Sequence, residues 1–437
     1  MTTIPPLVQA DDVVAARELL RDVISPTPLL YSRVLSERLG GPVYLKCENL
    51  QRTGSFKVRG AYVRIARLSA AERARGVVAA SAGNHAQGVA FASGLLGTRA
   101  TVVMPSRAPI PKVEATRAYG ASVVLNGSSV EDALEEALRY AASEGSVFIH
   151  PFDHADVIAG QGTLGYEIIE QCPQVRTILV PVGGGGLAAG MAVAVKSLDP
   201  DVQIVGVQAD AVAPFPLSLE AGYPVSVTGA STMADGIAVQ RPGGIAYGIL
   251  SALADGFLTV SEAELAKALL LCLERAKQVV EPAGAAAVAA LLSAADAGGV
   301  GGGSGLADGS PGLASGSLPA SDSGSSVKIE PPVVIVLSGG NIDPLLLSKL
   351  LRHGLSAAGR FLGFRCRLSD HPGSLAALLG YLADLGANVL EVSHERLGPS
   401  LRVDEVEVVL QVETRGPEHC ADVKEKLQAA GYTLDFS

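Results

Sequence analysis

The 437-residue sequence contains no tryptophan, and only 4% of its residues are aromatic and 18% charged. Its net charge of −10 offers no basic surface, so neither nucleic acid nor a membrane is expected as a partner. The five cysteines stand singly, without a CxxC pair or a Cys/His cluster, so we predict no disulfide framework and no metal site. Because the sequence shows neither a signal peptide nor an apolar run long enough to span a bilayer, we expect a cytoplasmic protein.

One break in composition interrupts a chain that is otherwise 48% hydrophobic. Gly and Ser make up 18 of the 29 residues at 298–326, too polar a stretch to bury a core. Residues 333–341 again have the pattern of a buried strand and a glycine turn. The stretch at 298–326 is therefore predicted to be a disordered insertion within one domain, residues 1–355.

The alternation of strands and helices predicts an α/β fold. Apolar strands are predicted at 42–46, 76–80, 101–104, 123–125, 177–182 and 203–207, with helices at 85–96, 129–143 and 187–198 among them. Ser129 is a candidate N-cap of the second of these helices. Such alternation is typical of parallel sheets covered on both faces. Residues 360–437 differ, because their strands and helices follow the order βαββαβ, which predicts a separate ferredoxin-like domain.

Four segments share one geometry, a strand that ends in a turn of small residues before a helix. They are SFKVRG at 55–60, SAGNHAQG at 81–88, VGGGGL at 182–187 and SGGN at 338–341. In parallel sheets such turns line the crevice where ligands bind. The four glycines suit a phosphate at a helix N-terminus, although a tight packing turn explains them equally well. The spacing fits neither a dinucleotide motif nor a P-loop.

Lys57 alone would be an ordinary solvated lysine. Ser55 is a candidate N-cap, and the apolar neighbours Phe56 and Val58 predict a packed setting near a helix N-terminus. There the pKa of the amine should be depressed, which fits it for Schiff-base chemistry. The turn at 81–85 suits a carboxylate and a ring hydroxyl; a capped helix with a core Asn84 is the alternative, and His85 is more a structural residue than a base.

Together, and in this order, the four segments resemble those of the fold-type II pyridoxal 5′-phosphate (PLP) enzymes, which include tryptophan synthase β, and specifically the threonine/serine dehydratases. The likeness extends from about residue 26 to 350 and includes VEPAGA at 280–285. It implies two parallel-sheet subdomains, the smaller at about 55–150. It also implies that Lys57 binds PLP as a Schiff base and takes the Cα proton of the substrate.

Further site residues are carried over from the resemblance. Asn84 would contact the ring hydroxyl of PLP and Ser338 its pyridine nitrogen. The remaining cofactor contacts would be Phe56, Gly183, Gly184, Gly185, Gly186 and Leu187. The amino-acid substrate, threonine or serine, would bind at Ser81, Ala82, Gly83, Asn84 and His85.

Three residues refine the expected chemistry. A hydroxyl partner such as Ser338 leaves the ring a weaker electron sink than an aspartate would, which favours elimination. Ala82 stands where serine-racemising relatives carry a serine, so racemisation is disfavoured. Gln208 stands where cation-dependent relatives carry a carboxylate, which again predicts no metal.

The domain at 360–437 resembles an ACT domain, with DHPGSL at 370–375 as its ligand loop. The resemblance implies an amino-acid effector bound between paired domains by Asp370, His371, Gly373, Ser374 and Asn388. A role limited to an oligomer interface stays open. A single copy needs a second subunit to complete the site, which predicts a homo-oligomer, a dimer or a tetramer.

The activity implied is that of a regulated threonine ammonia-lyase of isoleucine biosynthesis, with isoleucine or valine as effector. It would release 2-oxobutanoate and ammonia from L-threonine, and pyruvate from L-serine. A catabolic serine/threonine dehydratase, a β-replacement synthase and a PLP-fold amino-acid sensor are the alternatives. The SAGNH and GGGG loops favour a dehydratase over a synthase, and four intact motifs argue against a sensor.

Overall fold

The computed structural model describes residues 8–229, 231–297, 327–396 and 401–436; the predicted insertion at 298–326 lies outside the described residues. The chain divides into two compact units, Met1–Ala268 with Cys272–Asp343, and Leu269–Leu271 with Pro344–Ser437. The helices of residues 10–297 are α1 Ala10–Leu20, α2 Arg33–Leu39, α3 Lys57–Ala66, α4 Ala70–Arg75, α5 Asn84–Leu95, α6 Ile110–Ala118, α7 Val130–Glu144, α8 Ala155–Gln171, α9 Gly186–Leu198, α10 Pro214–Ala221, α11 Gly244–Leu253, α12 Glu262–Leu271 and α13 Pro282–Ala297.

The first unit is built on two sheets. The larger has the order β1-β2-β10-β7-β8-β9 and is parallel except for the pairing of β1 with β2. The smaller, β5-β4-β3-β6, is parallel throughout. Together they confirm the predicted α/β fold. The strands are β1 Leu29–Tyr31, β2 Val43–Cys47, β3 Val77–Ala80, β4 Ala100–Met104, β5 Ser122–Leu125, β6 Val147–Phe148, β7 Thr177–Pro181, β8 Gln203–Ala209, β9 Gly256–Val260 and β10 Val333–Leu337.

Burial of both sheet faces explains the uniform apolar strands. Every residue of β7 and β10 is buried, as expected for central parallel strands covered by helices on both sides. Helices α8 and α9 pack against the larger sheet, while α3 and α5 share the core of the smaller one.

Two capping predictions have opposite outcomes. Ser129 caps α7 as predicted, because its hydroxyl accepts a hydrogen bond from the Asp132 N–H at 3.1 Å and the Asp132 carboxylate accepts one from the Ser129 N–H. The prediction that Ser55 is an N-cap is wrong. Helix α3 begins at Lys57 after Phe56, and the Ser55 hydroxyl is buried without a hydrogen-bond partner in the described chain.

The second unit contains an antiparallel sheet of order β12-β13-β11-β14. Its elements are α14 Pro344–Ala357, β11 Phe361–Ser369, α15 Ser374–Asp384, β12 Asn388–Glu395, β13 Glu405–Glu413, α16 Pro417–Ala429 and β14 Leu434–Phe436. From β11 onward the order is the predicted βαββαβ. Its core includes Phe364, Leu378 and Val408, which are completely buried.

Candidate active site

The four predicted segments meet at one cavity in the first unit. Each follows a strand or begins a helix at the carboxyl edge of a parallel sheet, where the strands end and ligands bind. The cavity is lined by Phe56, Lys57, Asn84, the turn at 183–187 and Ser338. Folding therefore brings together residues that are almost 300 positions apart in the chain.

Lys57 is the first residue of α3 and faces this cavity. Its Nζ donates a hydrogen bond to the carbonyl oxygen of Pro151 at 2.9 Å and lies 5.2 Å from the centre of the Phe56 ring. Burial lowers the pKa of the Lys57 amine to about 8, and the nearby carboxyl of Glu281 opposes that shift. About one tenth of this amine is therefore uncharged at pH 7, a far larger share than for an ordinary lysine, and the uncharged form is the one a nucleophile requires.

The start of α3 is tied to the end of β10. The Phe56 N–H donates to the Ser338 carbonyl at 3.2 Å, and Ser55 pairs with Gly339 in an isolated antiparallel bridge. Ser338 itself is only 4% exposed. These backbone contacts set Lys57 and Ser338 on adjoining walls of the cavity.

Asn84, the first residue of α5, has both ends of its amide engaged. Its Nδ2 donates to Glu281 Oε1 at 2.5 Å, and its Oδ1 accepts from Asn341 Nδ2 at 2.7 Å. Burial, reinforced by Asp235, raises the pKa of Glu281 to about 7. Sequence reasoning assigned Glu281 no role, although the VEPAGA segment that contains it was part of the resemblance.

The other residues of the Asn84 turn are placed differently. Ser81 Oγ accepts from the Gly83 N–H at 3.1 Å, which closes the turn, and a Cβ on Gly83 would meet open space. Ala82 is partly accessible. The His85 ring bonds to the Ile149 carbonyl at 2.9 Å, and burial lowers its pKa to about 3, so the imidazole stays neutral. Of these residues, Asn84 lines the cavity, whereas the His85 ring ties the start of α5 to Ile149.

The glycine turn has the geometry of an anion-binding cradle at the N-terminus of α9. Gly185 has a φ of +98°, and a Cβ on Gly184 would lie 2.3 Å from carbons of the Phe152 ring. Within the described chain, the backbone N–H groups of residues 183–187 donate to no acceptor. Converging free N–H groups at a helix N-terminus fit a phosphate.

Phe152 and Asp153, which sequence reasoning missed, support this turn. The Asp153 carboxylate accepts hydrogen bonds from the N–H groups of Gly244 and Ile245 at 2.8 and 2.9 Å, which caps α11. Gly243, the residue just before α11, donates its N–H to the Gly184 carbonyl at 3.0 Å. The HPFD sequence at 150–153, just after β6, is the sequence feature that could have indicated these two residues.

The features of this cavity match a cofactor with an aldehyde and a phosphate. An amine of lowered pKa on one wall and a glycine cradle on another define a pyridoxal-phosphate enzyme of the two-sheet, fold-type II class. Comparison with protein families agrees: the model of the family "Pyridoxal-phosphate dependent enzyme" matches residues 20–306. The chain belongs to this family, among its lyases.

Individual relatives agree with this family. The chain is 43% identical to the L-threonine ammonia-lyase of Thermotoga maritima, over 98% of this chain and 99% of the relative. It is also 43% identical to the L-threonine ammonia-lyase of Geobacter sulfurreducens, over 96% of this chain and 97% of the relative. Among solved structures, the processed threonine deaminase isoform 2 of Solanum lycopersicum superposes with a TM-score of 0.69 at 34% identity, covering 78% of this chain and 91% of that one.

The described residues contain no cluster of three or more His, Cys, Asp or Glu side chains that could hold a metal ion. Gln208 lies at the end of β8, where its amide is buried and hydrogen-bonded.

No helix in the described part of the chain is long and apolar enough to cross a membrane.

The residues carried over from the ACT resemblance lie at two ends of the second unit. Asp370, His371, Gly373 and Ser374 form the turn between β11 and α15. Asn388 opens β12 opposite Glu413, whereas Ser369 at the end of β11 lies opposite Glu405. The two ends of β13 are about 25 Å apart at the rise of an antiparallel strand. One copy of this unit therefore does not bring Asn388 to the turn.

Proposed function

We propose that this chain is an L-threonine ammonia-lyase, which converts L-threonine to 2-oxobutanoate and ammonia by β-elimination and also accepts L-serine. The observation that carries the proposal is the Lys57 amine, whose pKa is lowered to about 8 and which faces a cavity walled by Asn84, the glycine turn and Ser338. The two bacterial ammonia-lyases that match almost the whole chain support the choice of substrate.

Each wall of the cavity has a part in holding the cofactor. The N–H groups of residues 183–187 would bind the phosphate and Asn84 would contact the ring hydroxyl, while Phe56 lies beside Lys57. The Ser338 hydroxyl would contact the pyridine nitrogen without adding a charge. When bound, PLP supplies the electron sink that acidifies the Cα proton of an attached amino acid.

Lys57 is both the attachment point and the base. Its neutral amine takes the Cα proton of the substrate, while the Pro151 carbonyl orients the amine. The substrate carboxylate binds at the turn of residues 81–85. Ala82 carries no ionisable group, and His85 is neutral and committed to Ile149, so neither supplies the second base that racemisation requires.

We further propose that residues 1–355 form the catalytic domain and residues 360–437 an ACT domain that binds isoleucine or valine. The separation of Asn388 from the turn at 370–374 supports a site completed by a second subunit, and hence a homo-oligomer. Feedback by such an effector suits an enzyme of isoleucine biosynthesis in the cytoplasm. In this proposal the carboxylate of Asp370, which contacts Arg396 at 3.3 Å, would pair with the effector's ammonium group.

Product assays on the purified protein test the proposal. Loaded with PLP, it should release 2-oxobutanoate from L-threonine and pyruvate, more slowly, from L-serine; Lys57→Ala should lose both reactions and the absorbance band of the Schiff base. Retention of either property by Lys57→Ala would overturn the assignment. A preference for L-serine would instead favour a catabolic dehydratase.

The regulatory proposal has its own test. Isoleucine or valine should change the rate with L-threonine, and Asp370→Ala should weaken that response without changing the rate in the absence of effector. If no amino acid alters the rate, the second unit serves assembly alone. Sedimentation velocity should show a dimer or tetramer, and a monomer would exclude the shared effector site.

A further inference from the structure

Gln208 is a buried amide beneath the glycine turn. It lies on β8, its side chain is completely buried, and both ends of its amide are used. Its Nε2 donates to the Val182 carbonyl at 3.1 Å, and its Oε1 accepts from the Phe215 N–H at 3.0 Å. A buried side chain that bonds two separate segments fixes their spacing.

The first of these segments is the entry to the turn. Val182 immediately precedes Gly183, and its own N–H donates to the Val207 carbonyl at 2.7 Å. Because the Gln208 amide also donates to the Val182 carbonyl, the last residue before the glycines is held to β8 through both its N–H and its carbonyl. The direction in which the turn leaves β7 is thereby set.

The second segment supplies an aromatic support under the turn. Phe215 lies in the first turn of α10, is completely buried, and stacks on Phe257 with ring centres 5.0 Å apart. A Cβ on Gly185 would lie 2.6 Å from the tip of the Phe215 ring. The ring thus presses against the residue that adopts the left-handed conformation, and Gln208 holds the backbone that carries this ring.

The choice of an amide has an electrostatic consequence. A carboxylate at position 208 would still accept from Phe215 but has no hydrogen for the Val182 carbonyl, so two oxygens would face each other. It would also bury a negative charge beneath a site for a phosphate, where like charges repel in a medium of low dielectric constant. Glutamine makes both hydrogen bonds and adds no charge.

We propose that Gln208 is a positioning residue for the phosphate: its neutral amide holds Val182 and Phe215 so that the glycine turn presents its N–H groups to the anion. This inference rests on the proposed binding of the cofactor phosphate at residues 183–187. It predicts that Gln208 contributes to affinity for the phosphate group and not to reaction at Lys57.

Comparing PLP with pyridoxal, which lacks the phosphate, separates these contributions. Both aldehydes react with Lys57, so the ratio of their dissociation constants isolates the phosphate. Loss of the Val182 hydrogen bond and of the turn geometry in Gln208→Met should lower the preference for PLP about tenfold. Gln208→Glu, of the same shape, should lower it further because of its charge. Phe215→Leu should also lower it, by removing the ring under Gly185.

Gln203→Met is the matched control. Gln203 lies at the opposite end of β8, where its side chain accepts from Thr177 Oγ1 at 3.0 Å. Its replacement removes an amide from the same strand and should leave the preference for PLP within twofold of the unmodified chain. Unfolding midpoints of the cofactor-free variants report any general loss of stability.

The outcomes are distinguishable. If both Gln208 variants keep the preference for PLP, or if Gln203→Met loses it equally, Gln208 has no positioning role. If the variants at 208 do not fold, an undiminished preference in Phe215→Leu would overturn the inference. If the unmodified chain binds PLP no better than pyridoxal, the proposed phosphate site itself fails.

Discussion

Two lysines of the first unit differ in what their amines contact: Lys46 is completely buried, and Lys57 is partly buried at the wall of the cavity. Lys46 Nζ donates to Glu167, Gln171 and the Thr27 carbonyl at 2.7 to 2.8 Å. Lys57 Nζ donates to the Pro151 carbonyl and, among the described residues, to no carboxylate. Burial lowers the pKa of each amine. Only Lys46 has a directly bonded carboxylate that offsets part of this lowering.

Lys46 belongs to a buried network with equal numbers of positive and negative charges. Arg59 donates to Glu48 at 2.8 Å and to Glu167 at 2.6 Å, and Glu167 also accepts from Lys46. Two cations and two carboxylates neutralise one another with almost no exposure. Pairing therefore suits Lys46 to a structural role, while the lack of a bonded carboxylate suits Lys57 to the role of nucleophile proposed above.

The largest expected effect separates the two lysines by activity. Lys57→Met should lower kcat with L-threonine by more than about 10⁴-fold, as when an enzyme loses its covalent nucleophile. The free energy of unfolding of the cofactor-free variant should not fall, because an apolar chain replaces a poorly solvated amine. Product assays and urea unfolding measure the two quantities. A loss of stability above about 1 kcal/mol would contradict the distinction.

The next effect is on stability. Glu167→Gln removes the carboxylate shared by Lys46 and Arg59, and should lower the free energy of unfolding by about 3–5 kcal/mol. Glu170→Gln is the control, since Glu170 pairs with Arg17 at 2.6 Å but is half exposed, and its loss should cost less than about 1 kcal/mol. Urea unfolding at pH 7 compares them. Equal losses of stability would show that the buried network contributes no more than an exposed ion pair.

A smaller effect concerns pH. The pKa of Glu281 is raised from 4.5 to about 7, so the folded chain holds a proton that the unfolded chain releases between these values. Stability from this group is complete below pH 4.5 and is lost as the pH rises through about 7, an effect on the order of 3 kcal/mol. Glu281→Gln should flatten that part of the pH profile in cofactor-free protein. An unchanged slope would contradict the raised pKa.

The smallest effect is a shift in the titration of Lys57. Reaction with an amine-selective reagent, followed by peptide mapping of the cofactor-free protein, should give a midpoint near pH 8 for Lys57. Because the Glu281 carboxylate raises this pKa, Glu281→Gln should move the midpoint lower, by less than about one unit. Lys46 should stay unmodified under the same conditions. A midpoint near pH 10 for Lys57 would contradict the lowered pKa on which the comparison with Lys46 depends.

Local sequence patterns predicted much of the site. The turns that carry Lys57, Asn84, the glycines and Ser338 are each defined by a few adjacent residues, and all four line the cavity. Helix α8 was not predicted, because its residues from Val157 to Ile168 are all buried and several are glycines, so no polar face marks the helix. A helix buried all round lacks the periodicity on which such predictions depend.

The sequence by itself determined the alternation of strands and helices, the four turns and the order βαββαβ, because each depends on neighbours within about one turn or strand. Only the tertiary structure decided which of Lys46 and Lys57 is paired with a carboxylate, that Glu281 contacts Asn84, and that Gln208 bonds to Val182. Those properties depend on partners far away in the chain. Burial and charge pairing are set by packing, and they determine whether an amine is a cation or a nucleophile.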